Sequence, residues 1–216
     1  MIKAVIFDLD GVLVSTDELH FQAWKTLADE LGITTFTRED NLRQRGVSRM
    51  ASLEVVLEKS GRVYSDEEKL ALADKKNTVY VESIARLTPS DVLPGARETL
   101  ALLRDRGILT AIGSASRNTP LILEAIGIAD TFDAIADGRD VTESKPSPAV
   151  FLCAARKLGV PPNECAVVED ADAGIEAAVR GGFVPVAVSA ARYNPNAKYS
   201  AQSLADGALD WDVILG

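Results

Sequence analysis

The 216-residue sequence contains few of the residues that build disulfide frameworks or zinc clusters. It has two cysteines, Cys153 and Cys165, and its only histidine is His20. Two cysteines make neither a disulfide framework nor a zinc cluster. We therefore expect both thiols to be small, buried hydrophobic groups.

Long apolar runs and an excess of positive charge are also missing. No stretch approaches the ~18 consecutive apolar residues of a membrane span. The first apolar stretch, residues 2–9, contains Lys3 and Asp8 and so differs from a signal peptide. With 23 basic and 32 acidic residues the net charge is −9, which repels phosphate backbones and anionic lipids. We expect a cytoplasmic protein that binds neither nucleic acid nor membrane.

Common nucleotide-binding motifs and internal repeats are missing as well. The sequence has no G-x-x-x-x-G-K-[ST] loop and no G-x-G-x-x-G after a strand. Its 47% hydrophobic and 25% charged residues are typical of an ordinary globular protein. The length corresponds to between one and two domains.

The sequence does contain an alternation of short apolar runs and helical segments. Five runs are too short for helices and rich in Val, Ile and Ala, which indicates buried strands. They cover residues 3–9, 109–113, 134–136, 166–168 and 184–188. Three helical segments between them cover residues 96–106, 120–126 and 148–158. The alternation predicts an α/β fold, a Rossmann-like parallel sheet with helices on both faces.

The residues at the ends of these helical segments are typical of helix starts and stops. Each of the three is followed by a glycine, as helix ends commonly are. Ser147 and Pro148 precede the last of them. We expect Ser147 to cap that helix and Pro148 to occupy its first position.

One stretch breaks the alternation. Residues 16–88 contain helical patterns and no convincing strand, including a helix over residues 17–31 and one that opens with the capping box of Ser65 and Glu68. The borders of this stretch are rich in turn-forming residues. We predict an all-helical cap domain over residues 16–88, inserted into a core domain of residues 1–15 and 89–216. Two short connections would let the cap open and close.

Chemically useful side chains follow the predicted strands at their carboxyl ends, where open α/β sheets bind ligands. They are Asp8, Asp10, Ser114, Lys145, Glu169 and Asp170. Carboxylates crowded in this way repel one another unless a cation lies among them, and Mg²⁺ prefers such hard oxygen ligands. Singly, each residue is equally typical of a solvated turn or a surface position. Together they predict a magnesium-dependent phosphoryl-transfer site.

These residues resemble the four motifs of the haloacid dehalogenase superfamily. The motifs are Asp8-Leu9-Asp10-Gly11-Val12, Ser114, Lys145-Pro146 and Glu169-Asp170, and the inserted helices are similar to a cap of that superfamily. Further residues resemble the sugar phosphomutases within it. The resemblance assigns to substrate binding Thr16, His20, Trp24, Gly46, Val47, Arg49, Ser52, Lys76, Ala115, Ser116, Arg117 and Asn118.

The resemblance also implies a role for each motif residue. Asp8 is the nucleophile that forms an aspartyl phosphate, and Asp10 is the general acid and base. Ser114 and Lys145 stabilise charge on the transferring group. The implied Mg²⁺ ligands are Asp8, the backbone carbonyl of Asp10, Glu169 and Asp170.

The reaction implied is the interconversion of β-D-glucose 1-phosphate and D-glucose 6-phosphate by a monomer. Glucose 1,6-bisphosphate is its intermediate and its activating phosphodonor. Arg49 would grip the distal phosphate, since a guanidinium binds phosphate through two hydrogen bonds. His20 shares a helix face with Trp24, so either can also be a core residue; the functional interpretation brings His20 to Asp10 or Lys76.

Two other functions stay open. One is a phosphatase acting on a small sugar phosphate or phosphoglycolate. The other is a receiver-type phospho-acceptor, which the long cap disfavours. The sequence departs from the family at Ser15, where an acid is frequent, and at Arg45, where a lysine is common. The segment after Ser189 follows no pattern that we can assign.

Overall fold

The sheet contains six parallel strands in the spatial order β3-β2-β1-β4-β5-β6. The computed structural model describes residues 1–205 and 207–216. The strands are β1 Ala4–Phe7, β2 Leu109–Gly113, β3 Ala134–Ala136, β4 Cys165–Glu169, β5 Val184–Ala187 and β6 Tyr199–Ser200. Strand β1 lies between β2 and β4, with Phe7 opposite Ile112 and Val168. The carboxyl ends of these three strands therefore lie side by side, at the point where the strand order reverses.

Helices cover both faces of this sheet. They are α5 Ala96–Asp105, α6 Thr119–Ala125, α7 Ala149–Leu158, α8 Asp172–Arg180 and α9 Trp211–Leu215. On one face Val5 and Phe7 pack with Leu103 of α5. On the other, Ala4 and Ile6 pack with residues of α7 and α8. Because successive strand residues point to opposite faces, β1 is buried on both sides, and the predicted fold class is confirmed.

The first four helices after β1 form what we call the cap: α1 Asp17–Glu30, α2 Arg38–Leu42, α3 Arg49–Leu57 and α4 Asp66–Ile84. They have a hydrophobic cluster of their own, in which Trp24 and Leu27 of α1 meet Leu53 of α3. The predicted capping box is present at the start of α4: Ser65 N donates to Glu68, and Glu68 N donates to Ser65 Oγ. The exact domain boundaries stay predictions.

The expected start of α7 is wrong by one residue. The helix begins at Ala149, and Pro148 occupies the N-cap position instead of the first helical position. The hydroxyl of Ser147 donates to Glu143 at 2.6 Å. Ser147 Oγ also accepts from Ala149 N at 3.4 Å, so the serine still contacts the first turn of the helix, from the position before the N-cap.

The segment after Ser189 adds an edge strand to the sheet and a last helix that contacts the start of β1. It contains β6 and α9, and Leu215 of α9 accepts a hydrogen bond of 2.8 Å from Ile2 N, just before β1. Both elements are shorter than the patterns by which a strand or helix is predicted.

Two smaller expectations concern burial. Cys153 and Cys165 are both buried with free thiols, as predicted. Among the described residues, no helix combines the length and the apolar character that crossing a bilayer requires. The monomeric state and the cellular location stay predictions.

Candidate active site

A cavity of about 520 Å³ lies between the cap and the carboxyl ends of the strands. Of the residues that the sequence assigns to the site, all except Thr16 line this cavity. Its volume is in the range of small-molecule sites, roughly 300 to 1,000 Å³. The fold thus brings together residues that lie far apart in the chain.

An ion-pair network occupies the core end of the cavity. Lys145 Nζ lies 2.5 Å from Asp8 Oδ1 and 2.5 Å from Glu169 Oε1, and all three residues are buried. Burial alone would lower the pKa of Lys145, but the two carboxylates outweigh it and raise the pKa above its usual value. Lys145 is therefore a permanent cation next to the predicted nucleophile.

Three carboxylates crowd around this lysine. Oxygens of Asp8, Glu169 and Asp170 lie within 4.8 Å of one another. Burial raises the pKa of Asp170 to about 8, and the charges of Glu169 and Asp8 add to the shift. Burial likewise raises the pKa of Asp8 to about 7, against the opposing effect of Lys145. One lysine does not balance three carboxylates, and their hard oxygens fit the Mg²⁺ ion that the resemblance implies.

Two glycines make room for these carboxylates. A Cβ atom at Gly11, whose φ is +75°, would collide with the carboxylate of Asp170, and one at Gly174 would collide with Glu169. Glu169 is also held from the other side, because Ala171 N donates to its Oε2 at 2.8 Å. We call Asp8, Lys145, Glu169 and Asp170 the core cluster.

Asp10 follows Asp8 by two residues and lines the same cavity. Its Oδ1 accepts a hydrogen bond from the hydroxyl of Thr16. Burial raises the pKa of Asp10 to about 6, although the bond from Thr16 opposes the shift. Thr16 itself is fully buried behind the cavity wall, and its hydroxyl contacts Asp10 and Tyr80. The metal ligation predicted for the Asp10 carbonyl stays a prediction.

The cap wall is built around Lys76. Its Nζ lies 2.9 Å from His20 Nδ1, and the rings of Trp24 and Tyr80 lie 4.6 and 4.4 Å away. Of the two partners considered for His20, the structure therefore places Lys76 in contact. Burial, followed by the charge of Arg49, lowers the pKa of Lys76 to about 7. Burial and the charges of Lys76 and Arg49 hold the pKa of His20 well below its usual value.

Further positive charge surrounds the cap end of the cavity. Arg49 of α3 is half-buried, and its pKa is lowered by burial and by the nearby charge of Arg117. Its ion-pair partner is Asp74 at 3.6 Å, a mostly exposed side chain. We call Arg49, Lys76 and Arg117 the distal cations. Because they repel one another, an anion bound among them would relieve the repulsion.

The cap is docked onto the core by hydrogen bonds near the cavity. Asn118 Nδ2 donates to Asn77 Oδ1 at 2.8 Å, and Ser48 N donates to Ser144 Oγ at 3.1 Å. Gly46, with a φ of +70°, lies directly before Val47 on the cavity wall and approaches Lys145. A backbone with positive φ is easiest for glycine. Gly46, which the resemblance assigns to substrate binding, is thus brought to the predicted catalytic lysine.

The remaining predicted residues form the rest of the wall. Ser114 Oγ accepts from Ser116 N at 3.2 Å, which folds residues 114–118 into a tight turn below the cap. Ser52 is buried, and its carbonyl accepts from Gln44 Nε2 at 2.8 Å. Arg45, the departure from the family, forms an ion pair with Asp17 inside the cap.

Sequence reasoning missed Tyr80 and Ser144, which also line the cavity. Tyr80 lies one helical turn after Lys76, so helical periodicity pointed to the same face. Ser144 directly precedes Lys145 in a loop, where periodicity gives no information.

The comparisons with known proteins agree with this geometry. The family model of haloacid dehalogenase-like hydrolases matches residues 2–182, and the chain belongs to this family. A β-phosphoglucomutase of Bacillus subtilis is 45% identical over 188 residues, which are 86% of this chain and 83% of that protein. The predicted resemblance is therefore confirmed.

Two further comparisons extend this result. The crystal structure of a β-phosphoglucomutase from Clostridium difficile superposes with a TM-score of 0.92 at 37% identity, covering 99% of this chain and 96% of that one. A phosphorylated carbohydrates phosphatase of Thermotoga maritima is 30% identical over 84% of this chain and 82% of its own length. The relatives thus include both a mutase and a phosphatase.

Proposed function

We propose that this protein is an isomerase that interconverts β-D-glucose 1-phosphate and D-glucose 6-phosphate. One observation carries the proposal: the same cavity has the core cluster at one end and the distal cations at the other. A mutase must hold a bisphosphate, with one phosphate at the nucleophile and the second at a distance. The similarity to two β-phosphoglucomutases supports the same activity.

Asp8 begins the proposed reaction as nucleophile. Its carboxylate oxygen attacks a phosphorus atom of glucose 1,6-bisphosphate, the P–O bond to the sugar breaks as Asp10 gives its proton to the departing sugar oxygen, and an aspartyl phosphate forms. Lys145 stays charged beside Asp8 and stabilises the negative charge on the phosphoryl oxygens. Magnesium bound by Asp8, the Asp10 carbonyl, Glu169 and Asp170 would supply further charge neutralisation.

Asp10 handles the proton in both directions. When the 6-hydroxyl of glucose 1-phosphate attacks the aspartyl phosphate, Asp10 accepts its proton and glucose 1,6-bisphosphate forms. The bisphosphate turns, and Asp8 takes the phosphoryl group from C1. Asp10 then returns the proton to the departing O1, so glucose 6-phosphate leaves and the aspartyl phosphate is restored.

The distal cations hold the phosphate that is not reacting. Arg49 offers a planar pair of donors, and Lys76 lies beside it. Either phosphate of the bisphosphate can occupy the distal cations while the other lies at Asp8, so the molecule can bind in two orientations. The exposed Asp74 is a weak competitor for Arg49 because solvent screens its charge.

A phosphatase is the second candidate, and the relatives with phosphatase names favour it. In that reaction water replaces the sugar hydroxyl as the acceptor, and the core cluster together with Asp10 would suffice. The distal cations then have no second phosphate to hold.

One experiment separates the two functions. Purified protein is incubated with Mg²⁺, a trace of glucose 1,6-bisphosphate and each anomer of glucose 1-phosphate. We expect glucose 6-phosphate from the β anomer, with little free phosphate. Release of one phosphate per substrate consumed, without glucose 6-phosphate, would instead establish the phosphatase.

A further inference from the structure

Tyr80 is a fully buried tyrosine of α4 that connects the cap to Asp10. Its hydroxyl donates to Thr16 Oγ1 at 3.1 Å, and the hydroxyl of Thr16 donates to Asp10 Oδ1. The ring of Tyr80 stacks on His20, with ring centroids 4.0 Å apart. One side chain therefore touches two residues of the site and reaches Asp10 through Thr16.

The direction of this hydrogen-bond chain is fixed by the ends. An ionised Asp10 accepts hydrogen bonds and donates none, and Thr16 has a single hydroxyl hydrogen. Thr16 must therefore donate to Asp10, and its oxygen must accept from Tyr80. Without the tyrosine hydroxyl, the buried Thr16 oxygen would lose its donor and could rotate away from Asp10.

We infer that Tyr80 is a positioning residue that, through Thr16, fixes the carboxylate of Asp10 for proton transfer to and from the sugar. The chain engages Oδ1 and leaves Oδ2 for the sugar hydroxyl. The inference rests on the proposed function, because it assumes that Asp10 is the general acid and base. A phosphatase acting through the same Asp10 would need the same positioning.

Tyr80→Phe tests the inference because it removes the hydroxyl and keeps the ring that packs on His20 and Lys76. Tyr64→Phe is the matched control. Tyr64 is the other tyrosine of the cap, and it packs against Arg62 and the cap's hydrophobic cluster.

Two rates are compared in each variant. The first is isomerisation, in which a sugar oxygen must gain or lose a proton. The second is phosphorylation of Asp8 by acetyl phosphate, followed by rapid quench and mass spectrometry. Acetate leaves without protonation because it is a weak base, so this step does not need Asp10. The ratio of the two rates also corrects for any unfolded fraction.

We expect Tyr80→Phe to lower kcat for isomerisation about tenfold, a part of what general acid and base catalysis contributes. Asp8 phosphorylation and the KM for the sugar phosphate should change less than about twofold. Tyr64→Phe should leave both rates unchanged. Equal losses in the two reactions, or no loss in either, would overturn the inference.

A double-mutant cycle tests whether Tyr80 acts through Thr16. Thr16→Val should lower isomerisation at least as much as Tyr80→Phe, and the double variant should lose no more than Thr16→Val alone. If the double variant lost activity by the product of the two single losses, the hydrogen-bond chain from Tyr80 through Thr16 would be contradicted. If the wild type releases phosphate instead of isomerising, the proposed function fails, and the same cycle is then read on hydrolysis of the sugar phosphate.

Discussion

The two ends of the cavity differ in how their charges are balanced. In the core cluster a buried lysine lies 2.5 Å from each of two carboxylates, and the carboxylates of the cluster outnumber the lysine. At the cap end Arg49, Lys76 and Arg117 share one sign, and the pKa of Lys76 is lowered to about 7. Among the described residues the ion-pair partner of Arg49 is the exposed Asp74.

This difference separates two tasks. The core cluster is assembled before substrate arrives, because strand ends and ion pairs fix its atoms. The repulsion among the distal cations is relieved when an anion binds between them. In the proposed function the core cluster therefore carries out phosphoryl transfer, whereas the distal cations select partners that carry a second phosphate.

The largest effect is expected at the nucleophile. Asp8→Ala removes the proposed nucleophile and one proposed metal ligand, so isomerisation should fall by more than about 10³-fold. Asp105→Ala, an exposed aspartate of α5, is the control and should be silent. Rapid quench with acetyl phosphate measures the phosphoenzyme directly. Residual phosphoenzyme in Asp8→Ala would show that another residue is the nucleophile.

Magnesium binding is the second way to test the core cluster. Asp170→Asn removes one of three crowded carboxylates, so the Mg²⁺ concentration for half-maximal activity should rise at least about tenfold. Asp172→Asn, two residues on and exposed, should leave it unchanged. Full activity of the wild type in excess chelator would show that the cluster is no metal site.

The third test removes one distal cation. Arg49→Ala should cost about 2–3 kcal/mol of transition-state binding for isomerisation, as the loss of a charge-assisted contact does. Phosphorylation of Asp8 by acetyl phosphate should be nearly unaffected, because that donor has no second phosphate. Arg43→Ala, an exposed cap arginine paired with Glu58, should change either reaction by less than about 0.5 kcal/mol. Equal losses in both reactions would remove the contrast between the two ends.

The same contrast explains what the sequence could predict. Asp8, Ser114 and Glu169 end or follow apolar runs, and parallel strands bring their carboxyl ends to one edge, so spacing alone predicted that these three residues meet. The pairs Tyr80 with Thr16 and Asn77 with Asn118 join residues that lie far apart in the chain. Such contacts depend on tertiary packing, which periodicity does not encode. The roles of the cap residues therefore came from family resemblance.

The smallest effect concerns Lys76 and the stability of the cap. Its pKa is about 7 in the fold, because burial and Arg49 disfavour the charge, and about 10.4 in an unfolded chain. Between these values the unfolded state binds more protons, so this residue makes stability rise with pH. Below pH 7 the lysine is charged in both states and its unfavourable contribution is full.

Lys76→Met removes this titration. Between pH 7.5 and 8.5 the free energy of unfolding of the wild type should gain about 1 kcal/mol relative to Lys76→Met, close to the limit of 1.4 kcal/mol per pH unit. Lys75 is the exposed neighbour that pairs with Glu30. The free energy of unfolding of Lys75→Met should change with pH as that of the wild type does. Urea unfolding at both pH values measures the difference. A Lys76→Met curve parallel to the wild type would mean that Lys76 stays charged, and that the distal cations are already balanced without a phosphate.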